Sequence, residues 1–321
     1  MNGNAANSRF VDTPVFLVGS ERSGTTLLRL MLDHHPKIAF NLESQYIVDR
    51  ISDDGTYPGI ERYREWLRND RTFQGSRFAI DEGLDFVGLV NDFLNQKRLR
   101  DNKEVVGATV HYEFRKLHRI WPRAKYIYLY RDGRDVANSV MRMGWAGNVY
   151  VAADLWLNAE KERDEMCLNI GDDDWLEVRY EDLVTSTRSQ LERMCTFIGV
   201  EYSEKMFDYV KTSTYAAPDA SLCYQWKTGM GKVDVQRLEE KLGERLLARG
   251  YELSGHPRIA VPGLMRKYLY LQSRVNAFLS RIRKFGMVLT FLETLSRRFG
   301  LNRIHRTAVN RMNRIINANL K

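Results

Sequence analysis

Cysteine is scarce in this 321-residue chain: Cys167, Cys195 and Cys223 are odd in number and widely spaced. They form neither a disulfide framework nor metal-ligand spacing, so a reducing compartment suffices. No His/Cys/Asp cluster with metal spacing appears either, and chemistry without a metal is the expectation. No apolar run is long enough to span a bilayer. The start, Met1–Asp12, is polar and lacks an apolar h-region, so no signal peptide is expected. Together these absences favour a cytoplasmic protein, at most one held at the inner face of a membrane. No internal repeat is found. Acidic residues are nearly missing at one end: from Arg258 to Lys321 there are 14 Lys/Arg against one acid, Glu293, a net +13. The whole chain carries +8, which leaves −5 for Met1–Pro257. A mildly acidic main body excludes a general nucleic-acid surface.

Hydrophobic content of 44% and charged content of 28% suit a globular protein. Val15–Val18 is a continuous apolar run, as in a buried parallel strand. After a polar turn, Thr25–His34 reads as a helix, with Leu27/Met31 and Leu28/Leu32 spaced i,i+4 and Pro36 closing it. Residues 41–103 read as variable helices and loops. Further strands are expected within Lys103–Val110, at Tyr126–Tyr130 and at Leu176–Tyr180. Helices are expected at Phe114–Trp121 and Asp132–Met143 (Val136, Val140 and Met143 on one face). Val151–Asn169 (Leu155, Ala159 and Met166 inward) and Ser189–Ile198 complete the set. The alternation predicts an α/β fold, a doubly wound parallel sheet flanked by helices, with ligands at the carboxyl ends of its strands. Gly19, Arg131 and Tyr180 fall at or near such ends. A boundary is expected near Gly255–Pro257, separating a domain at 10–255 from a basic helical extension at 256–321.

The stretch Gly19–Thr26, GSERSGTT, has the P-loop-like frame G-x-x-x-x-G-x-[ST]. A nucleotide P-loop needs Lys after the second glycine to reach the β- and γ-phosphates; here Thr25 stands there. The loop can still present a nest of backbone N–H groups, backed by the positive end of the next helix. Arg22 adds a planar, forked cation suited to phosphate or sulfate oxygens. The missing Lys argues against ATP or GTP hydrolysis.

With strand before and helix after, the run Val18–Pro36, VGSERSGTTLLRLMLDHHP, resembles the sulfotransferase superfamily, and within it the branch of tyrosylprotein and many bacterial sulfotransferases. The likeness covers roughly Val15–Lys232 in scattered blocks. It implies transfer of a sulfuryl group from 3′-phosphoadenosine 5′-phosphosulfate (PAPS) to a hydroxyl or amine. On this resemblance Arg22, Ser23, Gly24, Thr25 and Thr26 hold the 5′-phosphosulfate. Arg131 and Ser139, eight residues apart in RDGRDVANS, hold the 3′-phosphate. Tyr180, in VRYEDL, approaches the nucleotide, and Trp226 and Lys227 belong to a loop that closes over it. Arg134 and Arg142 read as solvated.

The acceptor needs a base. Glu43, 21 residues after Arg22, matches the position of a catalytic Glu in the tyrosylprotein branch; a partly buried carboxylate there would have a raised pKa. His111 is the rival, because other branches use a His just past a Lys-Thr pair. Aligned on Thr109, the place of that Lys is taken by Ala108, so the transition-state cation is left unassigned. Two other readings of the chain remain: an atypical P-loop kinase, and a non-catalytic nucleotide- or membrane-binding module. The acceptor is expected to be a small molecule, glycan or lipid. In the tail, Leu264–Leu279 and Phe285–Leu295 carry apolar faces among basic residues. They suit an anionic membrane surface or acidic partner, or else pack back on the domain or a second subunit in a homo-oligomer.

Overall fold

The computed structural model describes residues 10–318. Five parallel strands, β1 (Val15–Val18), β2 (Ile38–Glu43), β3 (Val105–Val110), β4 (Lys125–Tyr130) and β5 (Trp175–Arg179), form one sheet in the order β2-β3-β1-β4-β5. From β1 the chain winds towards β2 and from β4 towards β5, so the direction reverses between the adjacent strands β1 and β4. A doubly wound sheet opens its crevice at the carboxyl ends of such a pair. The expected α/β class holds, and one strand was not foreseen. β2 carries Asn41 in mid-strand and Glu43 at its end, which blurs its apolar run in the sequence; the structure pairs it with β3, from Ile38 opposite Val105 to Glu43 opposite Thr109.

The chain divides into two compact units, residues 10–131 with 158–223 and residues 132–157 with 224–318. The expected boundary near Gly255–Pro257 falls instead within the second of these, between the helices Lys232–Ala248 and Gly263–Phe285.

In the first unit both sheet faces are buried, because side chains alternate along each strand. Phe16 and Val18 of β1 join Val106, Val110, Tyr126 and Tyr128 against Phe93 and Trp121. Val15 and Leu17 join Ile127, Leu129 and Phe40 against Leu28, Met31 and Leu32 on the other face. The helix Thr25–His34 starts at Gly24, whose φ of 95° only glycine adopts freely, and stops at His35 because Pro36 disfavours helical geometry before it. The helix Thr187–Ile198 buries Leu191, Met194, Cys195 and Ile198 as spaced, and Gly199 ends it with φ 90°.

Four local expectations are corrected. Phe114–Lys116 is a 3-10 turn leading into the short helix Leu117–Ile120. Met143 lies beyond the helix Gly133–Arg142 and is exposed, and in the helix Val149–Cys167 Trp156 is buried where Leu155 is only half-buried. β5 ends one residue early, so Tyr180 opens the helix Tyr180–Thr185.

The second unit holds the helix Gly133–Arg142, capped by the Asp132 carboxylate on Arg134 N, with the helices Lys232–Ala248, Gly263–Phe285, Met287–Arg298 and Asn302–Ala318. Arg134, read from sequence as solvated, is fully buried in it. Its guanidinium takes Asp132 in two bonds (3.0 and 2.7 Å) and Glu239 in a third (2.7 Å), and lies 3.7 Å from the centre of the Trp226 ring.

Candidate active site

All five strands of the first unit deliver a site residue at their carboxyl ends. The loop of residues 19–24 follows β1, Glu43 closes β2, His111 follows β3, Arg131 follows β4 and Tyr180 follows β5. The fold thus gathers residues far apart in sequence without needing long loops to carry them.

The loop turns sharply on three positive φ angles, at Gly19 (137°), Arg22 (68°) and Gly24 (95°). A Cβ on Gly19 would lie 2.2 Å from the Leu129 carbonyl oxygen, and one on Gly24 would lie 2.4 Å from the Tyr180 ring. Left-handed geometry at Arg22 is unusual for a residue with a side chain, and such strain concentrates at functional loops. The first intrahelical bond runs from Leu28 N to Gly24 O at 3.2 Å, so the amides of Thr25, Thr26 and Leu27 have no helical acceptor. No acidic residue stands in that first turn. These are the conditions under which a helix start holds an anion.

Arg22, Gly24, Thr25, Thr26, Arg131 and Tyr180 line one cleft of about 280 Å³. Arg131 lies 4.5 Å over the Tyr180 ring and donates to the carbonyls of Leu222 (2.5 Å) and Arg22 (3.4 Å). Two arginines and a helix start therefore converge on one space, a setting for a doubly charged ligand. Tyr180 is buried, its ring wedged between Gly24 and the Arg131 guanidinium. Of the five residues expected to hold the 5′-phosphosulfate, Ser23 does not line the cleft; it is fully buried, and its Oγ has no partner among the described residues. The other wall, Tyr215, Ala216, Ala217, Asp219 and Leu222, was missed in the sequence. It carries no motif, and only the fold returns it to the loop.

A second cavity, about 200 Å³, lies beside the first, and Thr26 lines both. Glu43, Arg29, Arg71 and Thr72 line it with Thr26. The two rival bases are partners. His111 Nε2 lies 3.6 Å from Glu43 Oε1, an ion-pair distance, while His111 Nδ1 stands 3.1 Å from the Gly19 carbonyl oxygen. The His111 side chain is 5% exposed and that of Glu43 54% exposed. Glu43 is therefore open to the cavity, whereas the His111 side chain is enclosed.

The charges follow from this contact. His111 holds the Glu43 carboxyl below the ordinary carboxylate range, outweighing the partial burial that would raise it. The raised pKa expected for Glu43 is thus reversed. Burial alone would lower the imidazole pKa, but Glu43, Glu21 and the Gly19 carbonyl outweigh it and leave His111 raised. Glu21 is itself pushed up by burial. Ala108 is fully buried in β3 and presents nothing to either cavity. Arg29 is one of two arginines lining the second cavity, and burial pushes its pKa down against the pull of Asp33 and Glu43. It sits one turn past Thr25 on the helix face that bears Thr26, a spacing from which it was legible.

A model of the sulfotransferase family matches residues 14–204, more than half of the chain. The chain belongs to the sulfotransferase family. Protein-tyrosine sulfotransferase A of Caenorhabditis elegans is 25% identical to it over 210 residues, 61% of this chain and 52% of that protein. Protein-tyrosine sulfotransferase 2 of Gallus gallus is 26% identical over 214 residues, 61% and 53%. The chain thus spans about half the length of those curated relatives. Among solved structures, the sulfotransferase domain from the Synechococcus PCC 7002 olefin synthase is similar in fold. Its TM-score is 0.57 at 21% identity, over 79% of this chain and 100% of that one.

Ser139 and Lys227 lie in the second unit. Ser139 is half-buried in the second turn of the helix Gly133–Arg142, and Lys227 is exposed on the helix Trp226–Gly229. Trp226, read from sequence as part of a closing loop, is buried there. Its amide donates to Asp135 (2.8 Å) and its indole N–H to Asp132 (3.0 Å). That pairing satisfies its indole N–H in the buried interior of the second unit.

Proposed function

We propose that this sulfotransferase transfers a sulfuryl group from PAPS to a hydroxyl or amine acceptor by in-line displacement. The observation that carries the proposal is the cleft in which Arg22, Arg131 and the first turn of the helix Thr25–His34 converge. Its donor set suits phosphate and sulfate oxygens, and Thr25 withholds the ammonium that a nucleoside triphosphate would need. Arg22 and the amides of Gly24, Thr25 and Thr26 take the phosphosulfate end. Arg131 takes the 3′-phosphate. Tyr180 stiffens the cleft between Gly24 and Arg131.

The acceptor enters the cavity that shares Thr26 with the donor cleft. Its oxygen or nitrogen forms a bond to sulfur as the bond from sulfur to the 5′-phosphate oxygen breaks. The acceptor proton passes to Glu43, and 3′-phosphoadenosine 5′-phosphate (PAP) leaves. Charge on the moving group is met by Arg22 and Arg29, so no step is assigned to a metal, and transfer is expected to persist in excess chelator. A small molecule, glycan or lipid hydroxyl fits this chemistry. The names of the protein-tyrosine sulfotransferase relatives add a peptide phenol to that range.

Calorimetry with PAP against ATP tests the donor. PAP is expected to bind and ATP to bind weakly or not at all; a preference for ATP would return the chain to the kinase reading. Transfer from PAPS to a model phenol is expected to fall about 10²- to 10³-fold in Arg22→Ala, the usual loss when a transition-state donor is removed. Unchanged transfer would remove Arg22 from its role.

A further inference from the structure

The tail of the second unit is built inside out. In the helix Met287–Arg298 the residues facing the protein are polar, with Thr290, Glu293 and Ser296 all buried. Met287, Val288, Phe291, Leu292 and Leu295 face outward, Val288 at 75% exposure. The inner polar groups are satisfied locally. Arg281 reaches Glu293 at 2.5 Å, Thr290 Oγ1 donates to the Gly286 carbonyl at 2.8 Å, and Ser296 Oγ donates to the Glu293 carbonyl at 3.1 Å. A helix bathed only in water carries the opposite arrangement.

The helix Gly263–Phe285, whose Phe278 ring meets that of Phe291 edge to face at 5.4 Å, carries an exposed apolar stripe of its own. Its inner face buries Leu269 and Ser273, fixed by Asn148 Nδ2 donating to the Leu269 carbonyl (2.7 Å) and Gly147 N donating to Ser273 Oγ (2.9 Å). Its outer face exposes Leu264 (83%), Tyr268, Leu271 (61%), Val275 and Leu279. Steps of four, three, four and four residues keep these five within an arc of about 80°. Lys267 and Arg274 border the stripe on one side and Arg283 on the other. Single exposed apolar residues need no explanation; a stripe repeated on two successive helices does.

We propose that this face is a monotopic membrane-docking surface for anionic lipid. Charge decides between the occupants of an apolar face. A second copy of the chain would bring the same 14 Lys/Arg and single acid of residues 258–321 against their like, which repels. An anionic bilayer offers hydrocarbon to the stripe and phosphate to its basic borders at once, and long Lys and Arg side chains reach headgroups while their stems stay apolar. No helix among the described residues is long and apolar enough to cross a membrane, so the face lies on the bilayer rather than through it. The proposal is independent of the sulfuryl-transfer reading.

Flotation of the full chain with vesicles tests it. Binding is expected to vesicles containing phosphatidylglycerol and not to vesicles of phosphatidylcholine alone, weakening as salt rises. Leu271→Glu with Val275→Glu is expected to weaken binding at least about tenfold while circular dichroism and melting stay as in the unsubstituted chain. Lys267→Gln with Arg274→Gln is expected to weaken it by roughly fivefold per residue. Absence of flotation, or flotation unaffected by the paired glutamates, overturns the proposal. So does a lipid-free dimer in sedimentation that the paired glutamates dissociate, because a second copy would then cover the face.

Discussion

His111 Nε2 stands 3.6 Å from Glu43 Oε1, linking the carboxyl ends of two adjacent strands through one ion pair. The pair sets the pH behaviour of the proposed base. Glu43 is depressed below 4.5, so it stays ionised and able to take a proton well into acid. In His111→Gln the imidazolium is gone and burial of Glu43 acts unopposed, which raises its pKa. The acid limb of kcat/KM should therefore move to higher pH in His111→Gln, with PAP affinity unchanged. An acid limb that stays in place would show that Glu43 does not titrate in the rate. Glu43→Gln should lower kcat about 10²- to 10⁴-fold at pH above the acid limb, where Glu43 is ionised. The linkage to stability has two sides. His111 is raised above 6.5, so its contribution is complete below that value and is lost as pH rises through the folded pKa. Glu43 contributes fully above 4.5 and loses its contribution as pH falls through its depressed value. The pair thus helps most between about 4.5 and 6.5, a window that thermal melts of the unsubstituted chain and His111→Gln would resolve.

Arg29 is expected to carry the charge that Ala108 cannot. It lines the Glu43 cavity with Thr26, and Thr26 also lines the donor cleft. Arg29→Ala should reduce kcat for transfer to a model phenol by about 10²-fold while leaving PAP binding within a small factor, because the loss falls on the transition state. Arg29→Lys should restore part of the rate, since charge matters more here than the fork. Equal loss of PAP affinity and rate would place Arg29 in ground-state donor binding instead.

Much of this site is local in sequence and the rest is topological. The loop after β1 was legible because strand, glycines, hydroxyls and helix follow one another within twenty residues. Arg131 was legible because it ends an apolar strand. β2 was hidden, since Asn41 and Glu43 break the apolar pattern that marks a buried strand, and Glu43 therefore read as a loop residue. Its pKa was misjudged for a related reason: the controlling partner, His111, is 68 positions away and arrives only through β3 pairing with β2. Trp226 and Arg134 misled for the opposite reason. Each looked like a surface group beside a motif, and only the buried carboxylates of Asp132 and Glu239 explain them.

Gly24→Ala should disable donor binding without touching a charged group. The added Cβ meets the Tyr180 ring at 2.4 Å in a backbone of φ 95° that alanine resists. Either the loop opens or Tyr180 leaves its place under Arg131. The strain costs about 1–3 kcal/mol, and calorimetry should show PAP affinity falling at least about tenfold. Tyr180→Leu in the same chain should recover part of that affinity by making room. If Gly24→Ala binds PAP normally, the tight fit between loop and Tyr180 is not needed for the ligand.

Arg134→Met should damage the second unit and leave the donor cleft's own groups intact. Removing the guanidinium strands the Asp132 and Glu239 carboxylates, both essentially buried, and strips the cation from the Trp226 ring. Breaking a buried pair by deleting one partner costs about 3–5 kcal/mol, because the remaining charge has no solvent to turn to. Melting temperature should drop, and Trp226 fluorescence should report the loss before far-ultraviolet dichroism does. Asp132→Asn with Arg134→Met should be less damaging than the sum of the two single changes, since the second removes the charge the first would leave exposed to burial alone. Strict additivity would mean that Asp132 and Arg134 do not act as a pair, and that the helix Gly133–Arg142 is held by its apolar face instead.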